Sequence, residues 1–390
     1  MAEWVKVMVL WCGQGMATLV EVYLDGNTNH APDHLALVDF GGSKTQGSAA
    51  AEYVKGKLND QHLAGKDPKI DYTVVSHQDS DHLSLLPTLT DEIADMDVEG
   101  GGIFAGGSNW SARNTRTVQK FADKLDFDES DLEFDAAQMS HYAKRTSRPK
   151  LGHLWGNGTV ELRLLVSGLK VSKAPPDIAR NASSSVVVVE NGDRCVILPG
   201  DATYHTMSKA TEIVQAARAR GLFPSAVFGL EVPHHGALRT AVENYNAQYY
   251  SSSFNWTIIT NFAKELKPQK VGASAGIRNT HCHPVAEVLA IFNAYVRSKD
   301  SHNYVAWEFD SYKSTKHEGW YTYKTEDEVF TTVRETKVDG LVGGHIEINL
   351  PPPNVVLAPD EIIRFIPVGR LGDLDATTDP EPPVYAPAPE

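Results

Sequence analysis

Apolar residues in this chain fall mostly into short runs that glycine and polar residues interrupt, and the runs follow two different periods. "VKVMVLWCGQGMATLVEVYL" (residues 5–24) reads as two strands joined by a glycine-bracketed turn, and "HLALVDFGG" (34–42) as a third strand ending in Asp39 and two glycines. "AAAEYVKGKL" (49–58) changes to helical spacing. "IDYTVVSH" (70–77) returns to a buried strand. Strand, loop and helix in that order predict a layered α/β fold, in which sites form where strands end.

The pattern weakens and then resumes. "EGGGIFAGGSNWS" (99–111) reads as loop, and "ARNTRTVQKFADKL" (112–125) as an amphipathic helix. "TVELRLLVSG" (159–168) and "SAVFGLEVPHHGA" (225–237) carry strands, and "VVVVENGDRCVIL" (186–198) predicts a hairpin with an Asn-Gly turn between apolar runs. "KVGASAG" (270–276) and the helical "HPVAEVLAIFNAYV" (283–296) follow. The pieces "YVAWEF", "WYTYKT" and "HIEINL" then predict additional β-structure over residues 301–350, packed on a main domain of residues 1–300. Ten of the 21 prolines lie in residues 351–390, which predicts a partly ordered tail of extended, polyproline-like conformers; a docking strip for a protein partner is the alternative reading.

One stretch breaks the economy of an apolar core. Directly after the strand of residues 70–77, "HQDSDH" places His77, Asp79, Asp81 and His82 within six positions. That density of imidazoles and carboxylates is costly to bury unless a positive charge neutralises it, which points to metal. In an extended loop residues 77, 79 and 81 face the same way while 82 turns back, so His77 and Asp79 can serve one ion and Asp81 and His82 another. Asp39, Asp201 in "VILPGDA" and His234/His235 in "EVPHHG" also end apolar strands with metal-competent side chains. Alone, each is an ordinary turn residue; with the cluster they form a candidate two-ion site bridged by Asp201.

Composition narrows the class. Hydrophobic residues at 42% and charged residues at 22% describe a globular chain with a sizeable core. A net charge of −14 opposes sequence-independent nucleic-acid binding, because Lys and Arg supply that affinity. Local cations remain in "ARNTRTVQK", at Lys270 and in "KRTSRPK", whose Lys144, Arg145 and Arg148 are candidate phosphate contacts at the lip of the site. Trp110 and Trp155 are candidate stacking residues, with core packing as the bland reading. Cys12, Cys195 and Cys282 are too few and scattered for a disulfide framework. With no leader-like start and no long apolar run, the expectation is a cytoplasmic protein without a membrane span.

These motifs together resemble the metallo-β-lactamase superfamily, and more narrowly the cytosolic relatives of the metallohydrolase domain of the ComEC competence protein. The resemblance runs over residues 5–300 through "VMVLWCGQGMATLVEV", "LALVDFGG", "NASSSVVVVENGDRCVILPGDA", "LEVPHHGA" and "ELKPQKVGASAGIRNTHCHPVAEVL". It implies an α/β fold, the αββα four-layer sandwich, with two divalent ions, Zn or Mn. It implies His77, Asp79 and Asp201 on one ion, and Asp81, His82, Asp201 and one of His234 or His235 on the other, His234 being favoured. Asp39 would stand behind the ligands and orient one of them. Asp81 and His283 would be catalytic, His283 as a general acid or phosphate contact, with a structural histidine at a helix start as the equal alternative, and Asn279 would bind substrate. Asp79 stands where the superfamily usually has His, which enriches the site in oxygen, and the segment Asn181–Ser185 occupies the place of the usual middle histidine.

The reaction expected of such a site is hydrolysis with a metal-bridged hydroxide, most naturally by a phosphodiesterase or nuclease on nucleic acid or a nucleotide. A metallohydrolase of another bond (lactone, thioester, amide) and a binding or effector protein with an impaired metal site are the alternatives. No G-x-S-x-G elbow and no Walker A loop suggests other chemistry. A homo-oligomer is compatible with the sequence, and the resemblance also suggests a place in bacterial defence.

Overall fold

The structure is a computed structural model that describes residues 3–43, 46–127, 132–134, 138–143, 152–172, 174–237, 254–274, 284, 286–296, 310–314, 320–323, 329–336, 340–370 and 376–377. Two large sheets lie face to face. The first runs, in spatial order, Val333–Thr336, Gly340–Leu350, Trp4–Val9, Ala17–Tyr23, His34–Phe40, Tyr72–Val75, Ile103–Ala105, Leu132–Phe134, with Ile363–Arg370 also paired to Gly340–Leu350. The second runs Val329–Thr331, Lys270–Ala273, Ala226–Glu231, Arg194–Leu198, Val186–Asn191, Val160–Val166, His153–Gly156.

Strand periodicity explains the layering. Val5, Val7, Val9, Val20, Val22 and Val38 of the first sheet meet Leu162, Leu164, Val187, Val189 and Val196 of the second in the central core. The alternate positions Met8, Leu10, Leu19, Leu35 and Leu37 point to the other face, against Ala51, Val54 and Leu58 of the helix Ser48–Leu63 and Val118 and Phe121 of the helix Ala112–Lys124. Val186, Val188, Cys195 and Ile197 likewise turn outward, to Met207 and Ile213 of the helix Tyr204–Arg218 and Phe262 of the helix Phe254–Leu266. Strands buried on both faces read as continuous apolar runs, as "VVVV" does. The result is the expected αββα sandwich.

Three local expectations are revised. Ile103–Ala105, inside the segment read as loop, is a buried strand parallel to Tyr72–Val75 and Leu132–Phe134; three apolar residues between glycines are too few to show a period, and the neighbours supply the hydrogen bonds. The hairpin pairs Asn191 with Arg194, so its two-residue turn is Gly192-Asp193 rather than Asn191-Gly192. Gly340–Leu350, expected as β-structure laid on the core, pairs with Trp4–Val9 inside the first sheet, and Val329–Thr331 edges the second. The prolines that follow are partly tied down: the Arg194 guanidinium donates to the carbonyls of Pro351, Pro352, Pro353 and Val355. Among the described residues no helix is long and apolar enough to cross a membrane.

Candidate metal centre

The site collects at the carboxyl ends of strands from both sheets, where α/β folds place their ligands. His34–Phe40 carries Asp39 as its penultimate residue, with a left-handed backbone at φ 56°, a conformation that costs free energy and that neighbouring structure must enforce. Asp39 Oδ1 accepts from the Ser76 backbone N–H at 2.6 Å, and Oδ2 lies 2.8 Å from His82 Nδ1. After Tyr72–Val75 the chain passes through His77 and Asp79 into the short 3₁₀ turn Ser80–His82, which swings His82 back toward Asp39. Gly41 explains the "DFGG" motif: a Cβ there would sit 2.2 Å from the carbonyl carbon of Asp81, so the two loops touch only because that atom is missing.

The second sheet supplies the rest. Arg194–Leu198 leads to Asp201, and Ala226–Glu231 leads to His234 and His235, both left-handed at φ 48° and 53°. Asp201 is the hub. Its Oδ1 lies 3.0 Å from His82 Nε2 and 3.9 Å from His235 Nε2, and its Oδ2 lies 3.5 Å from His77 Nε2 and 3.4 Å from His234 Nδ1. Asp81 Oδ2 is 3.6 Å from His235 Nε2, and Asp79 Oδ2 is 3.6 Å from His77 Nε2. Two overlapping sets of donors converge closely enough to hold an ion, His77, His82 and Asp201, or Asp81, His82 and His235; they share His82, so its one free Nε2 can serve only one of them.

A divalent ion fits these donors. His77 Nε2, His82 Nε2, His235 Nε2 and Asp201 Oδ1 are buried and make no hydrogen bond, a state that is expensive unless something else satisfies them. With Nδ1 of His82 engaged by Asp39, its Nε2 is left to face the cluster.

The carboxylates and imidazoles of the cluster shift one another. Burial alone would raise the Asp201 carboxyl, but the His234 and His82 rings hold it well below the usual carboxylate range. Burial would lower His82, yet the Asp201 and Asp39 carboxylates hold it well above the usual imidazole value. Asp81 is kept low by His235 and His82. Burial pushes His234 down to about 4, leaving a neutral imidazole able to ligate. Glu231, behind the cluster, is pushed up to about 8 by burial and then by the charge of Asp39. Burial and Glu231 push the Cys12 thiol up to about 12, which removes it as a nucleophile at neutral pH.

Most of the residues expected from sequence therefore meet. The two histidines stand on different sides of Asp201: His235 faces Asp81, whereas His234, favoured from sequence, has its Nδ1 3.2 Å from the Asn181 amide. The strained turn points the two rings apart, their centroids 5.9 Å from one another. Asp79 sits at the rim, where its Oδ1 pairs with Arg180 Nε at 2.7 Å. Lys144, Arg145, Arg148, Asn279 and His283 lie outside the described residues. Lys270 is buried in the second sheet, the Trp110 indole donates to the Gly106 carbonyl and packs on Phe134, and Trp155 packs on His34. Sequence reasoning missed Ser76, whose hydroxyl lies 3.2 and 3.3 Å from the Nδ1 atoms of His77 and His82, and Arg180. The only signal for Arg180 was its position beside the Asn181–Ser185 segment.

The chain is a four-layer αββα sandwich whose metal-competent side chains gather at strand ends. Among solved structures it is similar to the metallo-β-lactamase fold protein YhfI from Bacillus subtilis, at 13% identity and a TM-score of 0.40, over 74% of this chain and 94% of that one. It is also similar to a diphosphatase from the PhnP family, at 11% identity and a TM-score of 0.28, over 66% and 72% of the two chains. No protein-family profile and no curated protein matches the sequence. These likenesses are distant, and the chemistry of the site is read from its own geometry.

Proposed function

We propose that the protein is a metal-dependent hydrolase, and within that class a phosphodiesterase or nuclease of the ComEC-like type that acts on nucleic acid or a nucleotide. The observation that carries the reading is the Asp201 carboxylate, whose two oxygens face two different sets of ligands. Such a carboxylate suits two divalent ions, Zn or Mn, with His77, Asp79, Asp201 and His234 around one and Asp81, His82, Asp201 and His235 around the other. The chemistry that paired ions supply is activation of water and neutralisation of charge on a phosphoryl oxygen.

The chain's own residues do the positioning. Asp39 orients His82 through Nδ1, and the Ser76 N–H holds Asp39 in turn. Asp81, ionised at neutral pH, stands beside His235 at the cluster and is the candidate to orient the attacking water. Glu231, protonated at neutral pH, adds no further negative charge behind Asp39. The metallohydrolase unit of residues 1–300 is completed in this proposal by the strands at 329–331 and 340–350.

The test is hydrolysis of a panel of single- and double-stranded DNA, RNA, cyclic nucleotides and a generic phosphodiester with Mn²⁺ or Zn²⁺, comparing the wild type with Asp81→Ala. Cleavage that the substitution abolishes supports the reading, and the preferred substrate names the subclass. Silence across the panel with both metals would remove the phosphodiester reading and leave a metallohydrolase of another bond or a binding protein.

A further inference from the structure

Arg180 lies near the end of the helix Pro176–Ala182, where a cation is commonly explained by the helix dipole. Its side chain does something else. Nε lies 2.7 Å from Asp79 Oδ1 as an ion pair without hydrogen-bond geometry, and among the described residues neither terminal nitrogen makes a hydrogen bond either. Asp79 in turn presents its other oxygen to His77 Nε2 at 3.6 Å. One carboxylate therefore stands between a metal-competent imidazole and a guanidinium that is 39% exposed at the mouth of the site.

Charge makes that position informative. The chain carries −14 overall, and Asp39, Asp79, Asp81 and Asp201 all gather here. Among the described residues, Arg180 is the one Lys or Arg paired with a carboxylate of the cluster. An anionic substrate approaching this mouth meets it as the local positive charge. A planar guanidinium held beside Asp79 by charge keeps its two terminal nitrogens as a ready fork, and such forks recognise phosphoryl oxygens by paired, charge-assisted hydrogen bonds.

We infer that Arg180 binds a non-bridging oxygen of the substrate's phosphoryl group, with Asp79 holding the guanidinium in place. The inference rests on the hydrolase reading above and names its substrate class as phosphoryl anions rather than neutral esters. Asp79 then has two tasks, one oxygen toward the metal ligands and one toward Arg180. This gives a physical reason for a carboxylate at position 79: an imidazole could not hold a guanidinium this way.

The experiment uses the full chain loaded with Mn²⁺ and inorganic phosphate as the probe. Phosphate affinity is measured by calorimetry for wild type, Arg180→Gln and Arg180→Lys, alongside bound-metal content, thermal midpoint, and kcat and KM on a generic phosphodiester. The expected result is a phosphate affinity weakened about tenfold to a hundredfold in Arg180→Gln and partly recovered in Arg180→Lys. Metal content and thermal midpoint stay at the wild-type level, and the kinetic loss falls mainly on KM. No phosphate binding by the wild type, or equal affinity in wild type and Arg180→Gln, would overturn the inference. So would loss of bound metal in Arg180→Gln, because Arg180 would then act only by shaping Asp79. A wild type that cleaves no phosphodiester but loses phosphate affinity on substitution would sink the hydrolase reading while leaving the anion site standing.

Discussion

The carboxylate of Asp39 and the imidazole of His82 are 43 residues apart in sequence and 2.8 Å apart in the structure, both buried. Partners that orient a metal-ligating histidine in this way typically contribute one to two decades of metal affinity. Asp39→Ala is expected to weaken metal binding by about tenfold to a hundredfold while the chain still folds, as read by metal titration and circular dichroism. Unchanged metal affinity would mean that Asp39 serves only the Ser76 turn.

Asp201 and the two adjacent histidines test the proposed two-ion arrangement. Asp201→Ala is expected to abolish binding of both ions of the proposed pair, since its Oδ2 faces His77 and its Oδ1 faces His82. His235→Ala is expected to empty the place beside Asp81 and His82, and His234→Ala the place beside His77. Metal stoichiometry by mass spectrometry distinguishes the cases. Equal losses from the two histidine variants would contradict the assignment of one ring to each ion.

Gly41 is held to its identity by contact. A methyl group there meets the Asp81 carbonyl carbon at 2.2 Å, so the loops must separate. Gly41→Ala is expected to destabilise the fold by about 1–3 kcal/mol, the usual range for overpacking, and also to reduce metal binding by displacing Asp81. Denaturant unfolding and metal titration of the same variant test both parts.

His345 sets a pH dependence away from the metal centre. Its Nδ1 accepts from the Trp11 N–H at 3.0 Å, its ring packs on Tyr53, and burial pushes it down from the ordinary 6.5 to about 4. A buried neutral histidine binds fewer protons than the unfolded chain between these values. The associated stability is therefore complete above 6.5 and lost as pH falls toward 4, amounting to about 3 kcal/mol for this residue. In metal-free protein, His345→Gln is expected to show a shallower acid loss than wild type by urea unfolding at a series of pH values. Parallel curves would remove His345 as a source of the dependence.

Local pattern was enough to read much of the architecture. Period-two runs with a change to helical spacing place the strands around Asp39, His77 and Asp201 and the helix Ser48–Leu63, because alternation along a strand and spacing along a helix are properties of neighbouring residues. The metal-competent cluster was legible for the same reason: four ligating side chains stand within six positions of one loop. Ile103–Ala105 was not, since its strand identity comes from hydrogen bonds donated and accepted by two other strands.

What the sequence by itself determined is the layered α/β class, the main strands and the set of side chains able to hold metal. The tertiary structure decided how they are shared out. A left-handed turn at His234 and His235 aims one ring toward Asp81 and the other toward Asn181, a choice made by backbone dihedrals and not by residue type. The pairing of Arg180 with Asp79 joins positions 101 residues apart, and Gly340–Leu350 completes the first sheet by pairing with the chain's opening strand. Such contacts depend on which strand ends converge when two sheets pack, and no local spacing encodes that convergence.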